Sequence, residues 1–135
     1  MYNSTTTILV DYNIEGQATI LWDTFVAGGW QDLRPVRMLM FADVGLAPNS
    51  DDRTVWRFAQ THCMLLLTNN RSSNEADSLE QTIRDENTIE ALPVLTIGNV
   101  ERVAERAYRE RCVERLIEIV IELDSYLGTG RIFIP

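Results

Sequence analysis

The chain has 135 residues, of which 12 are basic and 20 are acidic, so its formal net charge is −8, and 45% of its residues are hydrophobic. This length and apolar content predict a single domain, residues 1–135, with one sizeable core. All twelve basic residues are arginines, which excludes a P-loop, Schiff-base chemistry and any other mechanism that needs a lysine. The acidic balance also disfavours tight non-specific binding of nucleic acid.

Histidine and cysteine are scarce in this sequence. The single histidine, His62, excludes a zinc site built on a pair of histidines. The two cysteines, Cys63 and Cys112, have apolar neighbours and are expected to pack in the core of a protein in a reducing compartment. No positive charge precedes an apolar run at the N-terminus, and no stretch reaches the roughly 18 apolar residues of a membrane span, so we expect a cytoplasmic protein without membrane contact.

Strand and helix patterns alternate along the chain. In chain order we predict a strand over residues 6–12, a helix over 15–29, a strand over 36–41, a Gly- and Pro-rich loop over 43–50, a helix from residue 50 or 51 to about 62, a strand over 63–67, a helix over 75–86, a strand over 94–97, a long helix over about 99–126 and a strand over 131–134. Alternation with continuously apolar strands predicts a three-layer α/β/α fold with a mostly parallel, five-stranded sheet.

Polar residues follow the predicted strands, at the edge where parallel sheets bind ligands. These residues are Asp11, Asn13, Asp43, Asp51, Asp52, Asn69, Asn70, Arg71, Asn74, Glu75 and Asp77. Carboxylates that meet at one edge repel each other, and a hard cation such as Mg²⁺ or Mn²⁺ relieves that repulsion, so the pattern predicts a metal site. A structural alternative stays open: Asp51 and Asp52 are also typical helix caps, and the asparagines are typical of turns. For Asp11, at the end of an apolar strand, a functional role is favoured because a buried acid needs a partner.

Three segments carry a resemblance to a known family: residues 8–13 (ILVDYN), 43–52 (DVGLAPNSDD) and 64–71 (MLLLTNNR). Here the chain resembles the PIN-like nucleases, in particular the small bacterial PIN-like domains related to VapC-type toxins. The resemblance covers residues 6 to about 72. It implies a metal-binding acid at Asp11 and a Ser-Asp pair, Ser50-Asp51, that opens a helix. The family's third element is Thr-x-Asp, where this chain has Asn70 in place of the acid.

The resemblance implies metal-assisted hydrolysis of RNA phosphodiesters. The motif and the neighbouring polar residues together predict Asp11, Asp51, Asp52 and Asn70 for catalysis. They predict Asp11, Asp51 and Asp77 as metal ligands, with Glu75 an alternative to Asp77, and Arg71 and Asn13 for substrate binding. Two hypotheses stay open because Asn70 is neutral. The chain is a Mg²⁺- or Mn²⁺-dependent ribonuclease, or it is a catalytically inactive PIN-like binding or regulatory module that acts as a homodimer. The resemblance identifies neither the RNA nor an antitoxin-like partner.

The predicted last helix has an unusually wide apolar face. Its apolar residues cover an arc of roughly 200° at 100° per residue, about double the stripe of a surface helix. They are Cys112, Val113, Leu116, Ile117, Ile119, Val120, Ile121, Leu123 and Leu127. One sheet face does not cover so wide an arc, so we expect a second partner, most simply the same helix of another copy in a homodimer; burial under neighbouring helices of the same chain is the alternative.

Overall fold

The computed structural model describes residues 5–71 and 75–135, and helices and strands alternate there as the sequence predicts. The strands are β1 (Thr6–Val10), β2 (Val36–Leu39), β3 (Met64–Thr68), β4 (Val94–Thr96) and β5 (Arg131–Phe133). The α-helices are α1 (Glu15–Ala27), α2 (Trp30–Leu33), α3 (Phe41–Val44), α4 (Asp52–Thr61), α5 (Leu79–Glu86), α6 (Arg106–Ile121) and α7 (Leu123–Tyr126). Two short 3₁₀ helices, Tyr12–Ile14 and Val100–Ala104, follow the ends of β1 and β4.

The five strands form one parallel sheet in the order β2-β1-β3-β4-β5, which confirms the predicted α/β class. Ile8 in β1 stands opposite Met38 of β2 on one side and Leu65 of β3 on the other. The chain order reverses at this point, because β2 and β3 flank β1 on opposite sides. In open parallel sheets, such a reversal leaves a crevice at the carboxyl ends of the two strands, here β1 and β3.

Helices cover both faces of the sheet, and the strands are apolar on both faces for that reason. Ile8 and Val10 belong to a buried cluster with residues of α1 and α6. Leu9, between them, belongs to a second cluster with residues of α4 and α5. The three-layer arrangement therefore follows from the two-residue repeat of a strand.

The exposed edge of the sheet at β2 is partly occupied by side chains. The amide of Gln31 donates from Nε2 to the Val36 carbonyl, 3.1 Å away, and its Oε1 accepts from Val36 N at 3.1 Å. Just after the C-terminal end of β2, the backbone N–H of Met40 donates to Asp43 Oδ2 at 2.8 Å. Asp43 thereby stops the strand at Leu39, and residues 41–44 form a helical turn where the sequence predicted the end of a strand and the start of a loop.

The prediction of one continuous helix over residues 99–126 is wrong. The segment consists of the 3₁₀ helix Val100–Ala104, α6 and α7. The backbone leaves the helical conformation at Glu105, with φ −88° and ψ 127°, and at Glu122, with φ −107° and ψ 29°. Neither glutamate is a helix breaker by sequence, so tertiary packing sets these breaks.

The wide apolar face of α6 is covered within a single chain. Cys112, Val113, Leu116, Ile117, Ile119 and Val120 are all buried, in the cluster that contains β1 and α1. Ile121, at the end of the helix, is 41% exposed. The observation that suggested a homodimer is thus explained by burial under neighbouring elements, and the oligomeric state stays a prediction.

The two cysteines differ in environment. Cys112 is buried, and burial raises the pKa of its thiol to about 11. Cys63 is exposed, contrary to the expectation of core packing, because it lies in the connection between α4 and β3, with φ 56°, and not in the buried strand. No helix within residues 5–71 and 75–135 combines the length and the apolar character needed to cross a membrane.

Candidate functional site

A small polar cavity of about 70 Å³ lies at the carboxyl ends of β1 and β3, where the strand order reverses. It is lined by Asp11, Asn13, Phe41, Pro48, Ser50, Asp52, Val55, Leu66, Asn70 and Leu79. Four polar residues that the sequence singled out, Asp11, Asn13, Asp52 and Asn70, therefore meet in one place, although 59 positions separate the first from the last (70 − 11).

Asp11 is fixed at the cavity by β3. Its backbone N–H donates to the Leu67 carbonyl at 2.9 Å, which extends the pairing of β1 and β3 by one residue. Its carboxylate Oδ2 accepts a hydrogen bond of 2.6 Å from the hydroxyl of Thr68, which is fully buried. The acid that follows the first strand thus has a neutral hydroxyl donor as its partner rather than an arginine.

Asp52 and Asn70 face each other across the cavity. Asp52 Oδ2 accepts from Asn70 Nδ2 and from the Leu79 backbone N–H, both at 3.0 Å. The Asn70 backbone N–H donates to Thr68 Oγ1 at 2.9 Å. A continuous chain of hydrogen bonds therefore runs from Asp52 through Asn70 and Thr68 to Asp11 and orients both carboxylates.

Asp51 and Asp52, adjacent in sequence, have different roles. Asp51 is the N-cap of α4: its Oδ1 accepts from Thr54 N at 2.7 Å, and this bond lowers the pKa of Asp51 below its usual value. Asp51 is exposed and lies outside the cavity lining. The Asp51 carboxylate is directed to the backbone of the first helical turn, whereas Asp52, the first residue of α4, lines the cavity.

The remaining sequence candidates do not line the cavity. The side chain of Asp77 is 62% exposed, and its Oδ1 pairs with Arg53 Nε at 3.0 Å. Glu75 and Arg71 are exposed as well. Asn74 lies outside the described residues. The structure thus brings together part of the site predicted from sequence, without Asp51, Asp77 or Arg71.

The donor set suits a hard cation only in part. Within residues 5–71 and 75–135, no group of three or more acidic, histidine or cysteine side chains is placed to hold a metal ion. Asp11 and Asp52 supply two carboxylates, and Asn13 and Asn70 supply amide oxygens, which are ligands of the kind that Mg²⁺ and Mn²⁺ accept. Neither carboxylate forms an ion pair with an arginine of the described residues. Their charge is therefore available to a cation.

Arg131 holds the backbone of Asn70 in place, a role that was not predicted from the sequence. Its Nη1 donates to the Asn70 carbonyl and to Thr96 Oγ1, both at 2.7 Å. Its Nη2 lies 3.1 Å from Glu80 Oε1, and only 11% of the arginine side chain is exposed. The sequence does contain a signal for this role: Arg131 is a charged residue at the start of the otherwise apolar strand β5, and a charge in such a place needs a partner.

A second arginine, Arg53, explains why Asp77 is drawn away from the cavity. It contacts Asp77, Asp85 and Glu86 and donates to the Ala76 carbonyl at 2.8 Å. This cluster joins α4 to α5 and to the turn before α5. Arg57 adds a second pair to Glu86, at 2.8 Å.

The arginine cluster predicts a specific pH dependence of stability. Hydrogen bonds from Arg57 and Arg53 lower the pKa of Glu86 from 4.5 to about 2. A carboxyl group with a lowered pKa stabilises the folded state fully above its unfolded pKa, and the contribution is lost as the pH falls from about 4.5 towards 2. We therefore expect the free energy of unfolding, measured by urea titration, to fall less steeply over this range in Glu86→Gln than in the wild type.

The control for this series is Glu90→Gln, because Glu90 is exposed and forms no ion pair within the described residues. It should keep the wild-type slope. Equal slopes for all three proteins would contradict a role for Glu86 in the acid stability.

Comparisons with known proteins do not assign this chain to a family. A scan against protein-family models finds no matching family, and searches of curated proteins and of solved structures find no significant match to this chain. The arguments for function therefore depend on the fold and on the geometry of the cavity.

Proposed function

We propose that this chain is a PIN-like, Mg²⁺- or Mn²⁺-dependent ribonuclease that hydrolyses RNA phosphodiesters at the cavity between β1 and β3. The observation that supports this proposal is that two acidic residues, Asp11 and Asp52, line the same small polar cavity. Like charges in one cavity repel each other, and a divalent cation offsets that repulsion. The position also supports the proposal, because parallel α/β sheets bind their ligands where the strand order reverses.

In this proposal, Asp11 and Asp52 hold the cation, with Asn70 and Asn13 as neutral oxygen ligands. A bound cation would activate a water molecule and neutralise the charge that develops on the phosphate. Thr68 orients Asp11 through its hydroxyl, and the amide of Asn70 orients Asp52. Ligands held in this way need little rearrangement when the cation arrives.

Arg71 is the proposed contact to the RNA backbone. It is exposed and follows Asn70 directly in the chain. A guanidinium group matches the geometry of a phosphate, and no acidic residue of the described part of the chain pairs with Arg71. It therefore offers a positive charge close to the cavity in a chain that is strongly acidic overall.

The second candidate function is a catalytically inactive PIN-like binding or regulatory module that acts as a homodimer. One observation favours it: Asn70 donates its amide hydrogen to Asp52, so part of the carboxylate is satisfied without a cation. In this alternative the hydrogen-bond chain from Asp52 to Asp11 has a structural role and connects α4 to the carboxyl ends of β1 and β3. Light scattering at micromolar concentration tests the dimer, and a monomeric mass would contradict it.

The proposal includes a cytoplasmic location. Cys63 and Cys112 are both free thiols, which is typical of proteins in reducing compartments. A fusion to a fluorescent protein in the native host would test this location directly.

The central experiment is a Mn²⁺ titration by calorimetry on the wild type and on Asp11→Asn. We expect the variant to bind Mn²⁺ at least about tenfold more weakly, which corresponds to 1.4 kcal/mol, because it loses one of two anionic ligands. Cleavage of single-stranded RNA with added Mn²⁺ should be lost in the same variant. Asp52→Asn should behave like Asp11→Asn.

Two further variants serve as controls. Asp51→Asn removes a charge next to Asp52 but keeps a good N-cap residue, so it should bind Mn²⁺ like the wild type. Asp124→Asn removes an exposed charge on α7, away from the cavity. No heat and no cleavage in the wild type would contradict the ribonuclease and leave the binding module, whereas heat without cleavage would indicate a cation-binding module.

A further inference from the structure

The size of the cavity limits what the proposed substrate can place inside it. A volume of about 70 Å³ is far below the roughly 300 Å³ of the smallest common ligand pockets. It has room for a cation with a phosphate group, but a nucleobase does not fit. If the proposed function is correct, the bases next to the cleaved phosphate must lie outside the cavity, against its rim.

An exposed aromatic ring occupies that rim. Tyr12 follows Asp11 directly and begins the 3₁₀ helix Tyr12–Ile14, and 45% of it is exposed. Its two chain neighbours, Asp11 and Asn13, both line the cavity. Tyr12 is not part of the cavity lining, so its ring lies beside the cavity rather than inside it.

The Tyr12 ring is supported from one side by Phe41. The two ring centroids are 6.1 Å apart with an interplanar angle of 41°, within the range of favourable aromatic pairs. Phe41 is only 2% exposed and itself lines the cavity. Tyr12 is thus a partly immobilised ring with one side packed and the remainder open to solvent.

We propose that Tyr12 is a stacking platform for a base of single-stranded RNA, adjacent to the phosphate in the cavity. This inference rests on the proposed function for the position of the phosphate. Bases in a duplex are already stacked on each other, so a ring at the rim selects unpaired RNA. Stacking requires no positive charge, and it therefore supplies affinity that a chain of net charge −8 does not obtain from its overall electrostatics.

The test is the affinity of Tyr12→Leu for a short, fluorescently labelled single-stranded RNA, measured by anisotropy with Ca²⁺ in place of Mg²⁺. We expect affinity to fall about tenfold, as for the loss of one base–aromatic contact. Tyr12→Trp restores a ring and should keep the wild-type affinity.

Phe133→Leu is the matched control. Phe133 is also 45% exposed, but it lies in β5, three strands away from β1 in the sheet. It should bind RNA like the wild type, and a duplex of the same sequence should bind the wild type more weakly than the single strand. Equal affinity of Tyr12→Leu and the wild type would overturn the inference, as would an equal loss in Phe133→Leu or no binding of RNA by the wild type.

The outcomes separate this inference from the proposed function. RNA binding that depends on Tyr12, without Mn²⁺ binding or cleavage, supports the stacking platform and contradicts the ribonuclease. Cleavage that depends on Asp11, with an unchanged affinity and KM in Tyr12→Leu, supports the ribonuclease and overturns the stacking platform.

Discussion

The Asn70→Asp variant is expected to bind Mn²⁺ about a hundredfold more tightly than the wild-type chain, because it adds a third carboxylate to the two that already line the cavity. The side chain of Asn70 already lies within 3.0 Å of Asp52, so the new carboxylate would join Asp52 at the cavity without a change of backbone. Calorimetric titration measures the gain. An unchanged affinity would contradict the placement of the cation between Asp11, Asp52 and Asn70.

The same variant is expected to be less stable than the wild type when no metal is present. It loses the hydrogen bond from Asn70 Nδ2 to Asp52 and gains a repulsion between two carboxylates, at a cost of about 1–3 kcal/mol. Urea unfolding with and without Mn²⁺ measures this cost and its recovery. Asn69→Asp is the control, since it adds the same charge one residue earlier, outside the cavity lining.

Arg131→Met is expected to lower the free energy of unfolding by about 1–3 kcal/mol, because it removes a charged hydrogen-bond donor whose side chain is only 11% exposed. The substitution removes the arginine donor from the Asn70 carbonyl and from the Thr96 hydroxyl, and within the described part of the chain it leaves Glu80 with only its longer pair to Arg84. Thr96 is fully buried, so water cannot replace the arginine there. Urea unfolding at neutral pH measures the change.

Arg84→Met provides a matched control for Arg131, because both arginines pair with Glu80. The Arg84 side chain is 66% exposed and its Nε lies 3.8 Å from Glu80 Oε2. Exposed pairs of this kind contribute about 0–1 kcal/mol, so Arg84→Met should be close to neutral. Equal effects of the two substitutions would contradict a supporting role for Arg131. Because Arg131 also holds the Asn70 carbonyl, Arg131→Met should weaken Mn²⁺ binding as well.

The sheet and the location of the site could be predicted from sequence because both follow from local patterns. Continuously apolar segments such as residues 63–67 have few options other than a strand covered on both faces. Once the strands are parallel, the residues after β1 and β3 must lie at the same edge. The meeting of Asp11 with Asn70 is therefore a consequence of topology, and the sequence analysis found it.

The finer features of the site depend on angles and contacts that the sequence does not specify. Whether Asp51 or Asp52 faces the cavity is decided by the rotation of α4 about its axis, and both are good N-terminal residues. The bond from Thr68 to Asp11 joins residues 57 positions apart. Arg131 was overlooked because its partners come from three different segments of the chain.

The last helix shows how a correct pattern can give a wrong element. Its apolar spacing continues across Glu105 and Glu122, and the prediction of one helix followed from that continuity. With these breaks, α6 packs against α1, and the flanking segments add Val103, Leu123 and Tyr126 to the same apolar cluster. Periodicity reports which residues are buried, but it does not report which neighbour buries them.

The side-chain amide of Gln31 has a consequence for self-association. It bonds both the N–H and the carbonyl of Val36, as a neighbouring strand would, and the Asp43 carboxylate accepts from Met40 N just past the end of β2, so a chain arriving at the open side of β2 meets groups that are already bonded. An incoming strand would first have to displace both, which makes growth of the sheet into fibrils or stacked oligomers unfavourable. The outer strand β2 can therefore remain without a further strand or helix along its open side.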